Sequence, residues 1–316
     1  MNPEVFAEWL RRQGHQVIRT ESSYWYDAGP RVYQAFPYHW LIEPSQAELR
    51  GIFLDHKAIA LRYSTPLSAP SGKISYHVVC MDPGYDMAGL PRQTRQNVRR
   101  GLESATIEPI PISRLADEGW LMRRDSLERQ GRVDAETEQG WRRMCQSAED
   151  LPGFEAWGAI CDGHLAASFL AFRCDDWYTL PYEQSATAYL ESRINNVIFY
   201  SVTYEAIHRT GVSGVFFCLQ SLDAPASMDQ FKFRMGMTAR AVRQRVVFHP
   251  WLEPFMGKSV YSAVRGLLDR QPDRPALAKM EGMLRFYQQG NCLPLEQEWP
   301  ACLSDRRSEL LEGLSI

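Results

Sequence analysis

Along the chain, the spacing of apolar and polar positions changes period several times, and each change marks an element. From Pro3 to Arg12 the apolar residues Val5, Phe6, Trp9 and Leu10 recur at helical spacing and stop near Gly14, which predicts a short amphipathic helix. Gln16–Tyr26 and Arg31–His39 are rich in aromatic and β-branched residues on either side of Ala28-Gly29-Pro30, so they read as two strands joined by a turn. Ser45 is placed to cap a helix running to about Asp55, and Ala58–Tyr63 and Ile74–Cys80 read as further strands. The first ninety residues are therefore mixed α and β.

Beyond Pro91, the polar stretch RQTRQNVRRGLES has helical propensity as far as Ser104, with Val98 and Leu102 expected on its inner face. A short strand is expected over Ile107–Ile112, then helices over Leu115–Gln130 and Glu136–Glu149. Three strands follow, Phe154–Cys161, Ala166–Phe172 and Trp177–Glu183. The first two are separated by Asp162-Gly163, the strongest short-range hairpin signal in the chain. A helix over Asn196–Thr210, with Asn195 as N-cap and Gly211 just beyond its end, leads into the strand Val215–Leu219. A short helix over Met228–Met235, a strand over Ala241–Phe248 and two helices within Ser259–Gln289 complete the pattern.

Composition narrows the function classes. The 316 residues are 45% hydrophobic and 23% charged, a globular balance, and 35 basic against 38 acidic residues leave a net charge of −3. No global field draws the whole surface onto nucleic acid or an anionic membrane, so a polyanion must be met by a local patch. No apolar run approaches the roughly 18 residues of a membrane span, and the N-terminus lacks the basic start and apolar centre of a signal peptide, so a cytoplasmic protein is expected. The seven cysteines are scattered without a Cys-x-x-Cys pair, which points away from both a disulfide framework and a zinc site.

Helices, an antiparallel three-strand meander, a helix, a strand, a short helix and a final strand form the element order of a GNAT acyltransferase core, here over about Ile107–His249. Arg92-x-x-Arg95-x-x-x-Arg99-Arg100-Gly101 just before it, and within it Tyr178-Thr179-Leu180-Pro181-Tyr182 and above all Phe231-Lys232-x-x-Met235-Gly236-Met237, resemble the FemAB group of the GNAT superfamily. The resemblance implies an α/β fold with a mixed, mostly antiparallel sheet flanked by helices. It also leaves room for two GNAT-like halves: an N-terminal α/β region over 1–105, a transferase core over 106–250 and a helical extension over 251–316. Many FemAB proteins move an amino acid from a charged tRNA onto an amine, so the implied donor is aminoacyl-tRNA or acyl-CoA, the acceptor a small-molecule or peptide-like amine and the partner tRNA. No tightly bound cofactor and no metal are expected. Two rivals stand beside this reading, a conventional acetyl-CoA N-acetyltransferase and a non-catalytic binding module. The sequence departs from the usual patterns in two places: Glu191-Ser192-Arg193-Ile194-Asn195 holds no glycine where coenzyme A enzymes carry a Gly-rich loop, and Phe217-Cys218-Leu219-Gln220 replaces an acidic-aromatic-glycine element.

Acyl transfer to an amine needs close placement of the nucleophile, stabilisation of the oxyanion and a proton acceptor, and no covalent enzyme intermediate. Lys232 is the candidate for the oxyanion, against the plainer reading of a solvated lysine. Glu183 and Asp223 are candidate bases and Tyr182 a candidate proton donor. Phe231, Tyr178, Arg95, Arg99, Arg193 and Asn195 are candidate binding residues. Arg92, Arg95 and Arg99 share one helix face suited to phosphate, which Arg240, Arg243 and Arg245 could extend. Tyr178 and Tyr182, four apart, share a strand face; Glu183 points the other way unless a bulge intervenes.

Overall fold

The computed structural model describes all residues except Met1, 132–135, 224–226, 273 and 314–316, together with the backbone but not the side chains of 227 and 228. In chain order the elements are α1 (Pro3–Arg12), β1 (Val17–Arg19), β2 (Tyr24–Gly29), β3 (Val32–Phe36), α2 (Gln46–Asp55), β4 (Ala60–Thr65), β5 (Lys73–Cys80), α3 (Arg92–Ser104) and β6 (Thr106–Ile110). There follow α4 (Ile112–Arg129), α5 (Glu138–Ala148), β7 (Phe154–Cys161), β8 (His164–Cys174), β9 (Trp177–Ser185), α6 (Ile194–Ile207), β10 (Gly214–Leu219), α7 (Ser227–Arg234) and β11 (Thr238–Phe248). The helices α8 (Lys258–Arg270), α9 (Pro275–Gly290) and α10 (Arg307–Glu312) close the chain. This is the expected α/β architecture of mixed, mostly antiparallel sheet flanked by helices.

The chain folds as two compact units that are interleaved in sequence. Unit 1 comprises Met1–Gly14, Val78–Cys218 and Asp229–Thr238; unit 2 comprises His15–His77, Leu219–Met228 and Ala239–Ile316. They cut the chain at other points than the three consecutive segments expected from sequence.

In unit 1 the strands lie in the order β10-β9-β8-β7-β6, antiparallel except for the parallel pair of β9 and β10. The Asp162-Gly163 hairpin turn forms with both residues at positive φ, 49° and 81°. Strand alternation gives each face its own aromatic cluster. On one face, Phe154 and Phe172 pack with Phe6 and Trp9 of α1, and Tyr182 meets Trp141 of α5. On the other, Phe169 and Phe217 pack against Phe199 of α6 at centroid distances of 6.1 and 4.5 Å. Helix α3 lies tightly on α6, because Gly101 has no side chain: a Cβ there would fall 2.7 Å from that of Val197. Val98 is buried as expected, whereas Leu102 is exposed, turned outward one position past the contact stripe.

Unit 2 carries the order β1-β2-β3-β4-β11-β5. Its first expected strand is two, β1 and β2, with Thr20 and Ser23 bonded across the bend between them. A core of Trp25, Tyr33, Leu49, Ile52, Phe53, Leu61 and Tyr63 forms where α2 covers these strands. Ser45 caps α2 as predicted, accepting from the Glu48 backbone N–H at 3.1 Å. A second cluster joins β4 and β11 to Met283 and Phe286 of α9.

Candidate active site

The site is built at the end of β9 in unit 1, and two local backbone devices create it. The first is a β-bulge. Phe172 pairs with Thr179 but Leu170 pairs with Tyr182, so Leu180 and Pro181 together stand opposite Ala171. Proline suits such a position because it has no N–H to give to the ladder. One extra residue inverts the alternation beyond it. Tyr182, which the regular spacing placed beside Tyr178, therefore faces α1 and α5, while Glu183 pairs with Phe169 on the α6 face. The second device is a splay. β9 and β10 pair only over Gly214–Phe216 against Trp177–Thr179, yet both strands run on, to Ser185 and Leu219. Past the bulge they are no longer hydrogen-bonded to each other, which leaves an opening between two parallel strands.

Helix α7 brings Lys232 to this opening, and the Phe-Lys-x-x-Met-Gly-Met segment explains how. Gly236 has φ +87°, where a side chain is disfavoured, and a Cβ there would lie 3.0 Å from the Tyr85 ring and 3.2 Å from Leu90. It ends the helix, so the N–H groups of both Met235 and Met237 fold back onto the Lys232 carbonyl. Met235 and Met237 are buried as anchors, and Tyr85 donates its hydroxyl to the Met235 carbonyl at 2.9 Å.

The Lys232 side chain is only 14% exposed. Its Nζ donates to Cys218 Sγ at 3.3 Å and lies 3.5 Å from Asp229 Oδ1 and 4.0 Å from Glu183 Oε1. Burial works against the charge, but Glu183, Cys218 and Asp229 together outweigh it and hold the lysine above its ordinary value of 10.5. Burial also pushes the Cys218 thiol up to about 12 despite the pull of Lys232, so at neutral pH it is an S–H donor, aimed at Asp229 Oδ1 at 3.7 Å. The negative charge around the ammonium therefore comes from the two carboxylates. Asp229 is as buried as the lysine, 12% exposed, while Glu183 is 46% exposed and reaches into an adjoining cleft of about 140 Å³. That cleft is lined by Phe169, Phe199 and Phe231, by Asn195, and by Ser126 and Arg129 of α4. At about 30 Å³ per water it has room for roughly five waters.

No family model and no curated protein matches the sequence. Among solved structures, FemX superposes with a TM-score of 0.54 at 10% identity, over 79% of this chain and 92% of that chain. The protein has the FemX fold. A conserved protein of unknown function from Bacteroides thetaiotaomicron VPI-5482 is similar at a TM-score of 0.50 and 12% identity, over 77% of this chain and 88% of that one. L-PGS from Bacillus licheniformis gives a TM-score of 0.47 at 10% identity, covering 80% and 94%.

Within this FemX fold the remaining predicted residues divide plainly. Lys232, Glu183, Phe231 and Asn195 come together at the opening and its cleft. Tyr182 does not: it lies against Trp9 and Trp141 with the Arg123 guanidinium 5.1 Å from its ring, on the opposite face. Tyr178 keeps to the α6 face but is held by Glu155, 3.1 Å from its hydroxyl, and by Arg209. Asp223 belongs to unit 2 and accepts from Ser221 Oγ at 2.7 Å. Arg95 donates to the Ala88 carbonyl at 2.8 Å, and Arg99 is exposed on α3. Arg243 offers no phosphate contact, since it is buried and donates to the carbonyls of Leu67 and Gly72. Asn195 is not the N-cap of α6. Arg193 is, in the left-handed region at φ 61°, after a 3-10 turn over Thr187–Ser192. Arg193 thus makes the sharp entry for which a glycine was missed, and it lines an open hollow with Arg100 and Glu191.

Sequence reasoning missed Asp229 and gave Cys218 no role at the site. The spacing of Asp229 and Lys232, three apart on one helix, was the available signal. Among the described residues no cluster of His, Cys, Asp or Glu could hold a metal, and no helix is long and apolar enough to cross a membrane.

Proposed function

We propose that this chain is a transferase that moves an aminoacyl or acyl group from an activated donor to an amine acceptor, by direct attack in the opening between β9 and β10. The observation that carries the proposal is the sheltered Lys232 ammonium at that opening, paired to a carboxylate that reaches the neighbouring cleft. In the reaction the amine nitrogen attacks the donor carbonyl, a C–N bond forms, and the C–O bond of an ester or the C–S bond of a thioester breaks. Glu183 accepts the proton lost by the amine, and the departing hydroxyl or thiol takes one up. Lys232 meets the negative charge that builds on the carbonyl oxygen, where exclusion of water strengthens the attraction. The three phenylalanines give the acceptor's carbon chain an apolar seat.

An acyl-CoA donor is favoured by one further observation: Arg193 at the start of α6 and Arg100 of α3 line one hollow, where a helix N-terminus attracts phosphate. A charged tRNA would use the same chemistry at the carbonyl. The test incubates the protein with charged tRNA or with acyl-CoA, in the presence of small amines, and measures donor loss. Glu183→Gln and Lys232→Ala should each lower transfer at least tenfold in folded protein; undiminished transfer by either variant removes that residue from the mechanism.

A further inference from the structure

One end of unit 2 presents apolar side chains that the fold leaves uncovered. At the end of β11, the turn after His249 closes with Leu252 and Glu253 N–H groups on the His249 carbonyl, and a short 3-10 turn follows over Glu253–Phe255. Trp251 just precedes this turn and Phe255 ends it, and the two are 83% and 66% exposed. His249 links them to their neighbours. Its ring lies 6.3 Å from that of Trp251 and 5.3 Å from that of Phe53, and its N–H donates to the Ile59 carbonyl at 2.9 Å. Ile59 is 37% exposed, and Leu54, which follows Phe53 at the end of α2, is 71% exposed. A tryptophan and a phenylalanine so open to water, beside two aliphatic residues, form a patch of the kind that marks an interaction surface.

The charges at this end are one-sided. Ile59 donates its N–H to the carbonyl of Arg31, and Arg31 and Lys57 occupy turn tips at φ 57° and 52°. Arg50 lies one helical turn before Leu54, and Lys258 starts α8 two residues beyond Met256. All four cations are exposed, and none takes part in an ion pair among the described residues. The acidic side is Asp55 and Glu253, and Glu253 accepts from the Tyr287 hydroxyl at 3.0 Å. A chain of net charge −3 thus gathers excess positive charge around its most exposed tryptophan.

We propose that this end of unit 2 docks on an anionic lipid bilayer, with Trp251 and Phe255 seated at the headgroup level and Arg31, Arg50, Lys57 and Lys258 facing the lipid phosphates. Aromatic residues favour the interface between water and hydrocarbon, and each nearby cation adds to attraction for an anionic leaflet. The charge complementarity selects a bilayer over a second copy of this chain, whose matching end would bring like charges together. The inference stands independently of the transferase reading.

The test is co-sedimentation of the full chain with vesicles of phosphatidylcholine alone, or with about a third of phosphatidylglycerol. Binding is expected only to the anionic vesicles. It should fall at least tenfold in the double variant Trp251→Ser with Phe255→Ser, and comparably in Lys57→Glu with Lys258→Glu. High salt should weaken it, because the Debye length shrinks from about 10 Å at 0.1 M to about 3 Å at 1 M. All four side chains are exposed, so circular dichroism should be unchanged in both variants. No vesicle binding, equal binding to both vesicle types, or undiminished binding by the aromatic double variant overturns the proposal. So does self-association seen by light scattering and lost in that variant while vesicles go unbound.

Discussion

The Lys232–Asp229 pair is the interaction most open to quantitative test. Replacing Lys232 by methionine keeps the volume and removes the cation, leaving the Asp229 carboxylate, 12% exposed, without its ammonium partner but still in contact with the Cys218 thiol. Breaking a buried ion pair by removing one partner costs about 3–5 kcal/mol. The 3.5 Å separation and the surviving thiol contact put the expectation at the low end, about 3 kcal/mol. Glu183, 46% exposed and 4.0 Å away, adds less than about 1 kcal/mol because solvent screens it. Asp229→Asn should cost less, about 1–2 kcal/mol, because the Lys232 ammonium left behind keeps Glu183 at 4.0 Å and an amide oxygen that can accept from it. The double variant should then be about 2 kcal/mol more stable than the sum of the single losses predicts. Urea unfolding followed by circular dichroism and tryptophan fluorescence gives all four corners of the cycle. Additivity to within about 0.5 kcal/mol would show that the two groups do not act as a pair, and the account of a cation held charged in a sheltered notch would fail.

Three further outcomes follow from the geometry. Gly236→Ala should destabilise the protein by about 2 kcal/mol, through the left-handed backbone and the crowding against Tyr85, and should reduce transfer; a neutral thermal melt would refute it. Arg193→Gly should leave stability equal or raise it by up to about 1 kcal/mol by relieving the left-handed arginine, while the KM for a phosphate-bearing donor rises; a loss of stability would make the side chain structural. Lys73 on β5 is pulled from 10.5 down to about 8, by burial first and by Arg285, against the opposing effect of Glu298. Between those values the unfolded chain holds more protons than the folded one, so stability should rise with pH from 8 to 10.5, by at most about 3 kcal/mol. Denaturant titrations across that range should show the rise in the parent and not in Lys73→Met.

Much of this was legible in the residues because local signals agreed with the fold. Ser45 capped its helix, Asp162-Gly163 made its hairpin, and α3 ended at Ser104 as its composition predicted. Lys232 and Gly236 were legible together, since the glycine fixes where the helix stops and so where the lysine points. What could not be read was register. The bulge at Leu180 and Pro181 moves no apolar residue out of pattern, yet it exchanges the faces of Tyr182 and Glu183. The entry to α6 was missed for a related reason: sequence rules expect a glycine or an asparagine at a sharp turn, and here an arginine adopts the conformation. Arg243 looked like one of an alternating basic row but is consumed by backbone carbonyls, a contact no spacing announces.

The interleaving of the two units has a consequence for how the protein is made. Glu183 and Cys218 leave the ribosome before Lys232, and the segment that carries the lysine, Asp229–Thr238, lies in sequence between two pieces of unit 2. Unit 1 cannot close its site during synthesis until that segment emerges, and unit 2 must wait for the strand and helices beyond it. Neither half can be obtained by shortening the chain from one end. A split version that works would have to be cut inside a surface loop with both fragments supplied together.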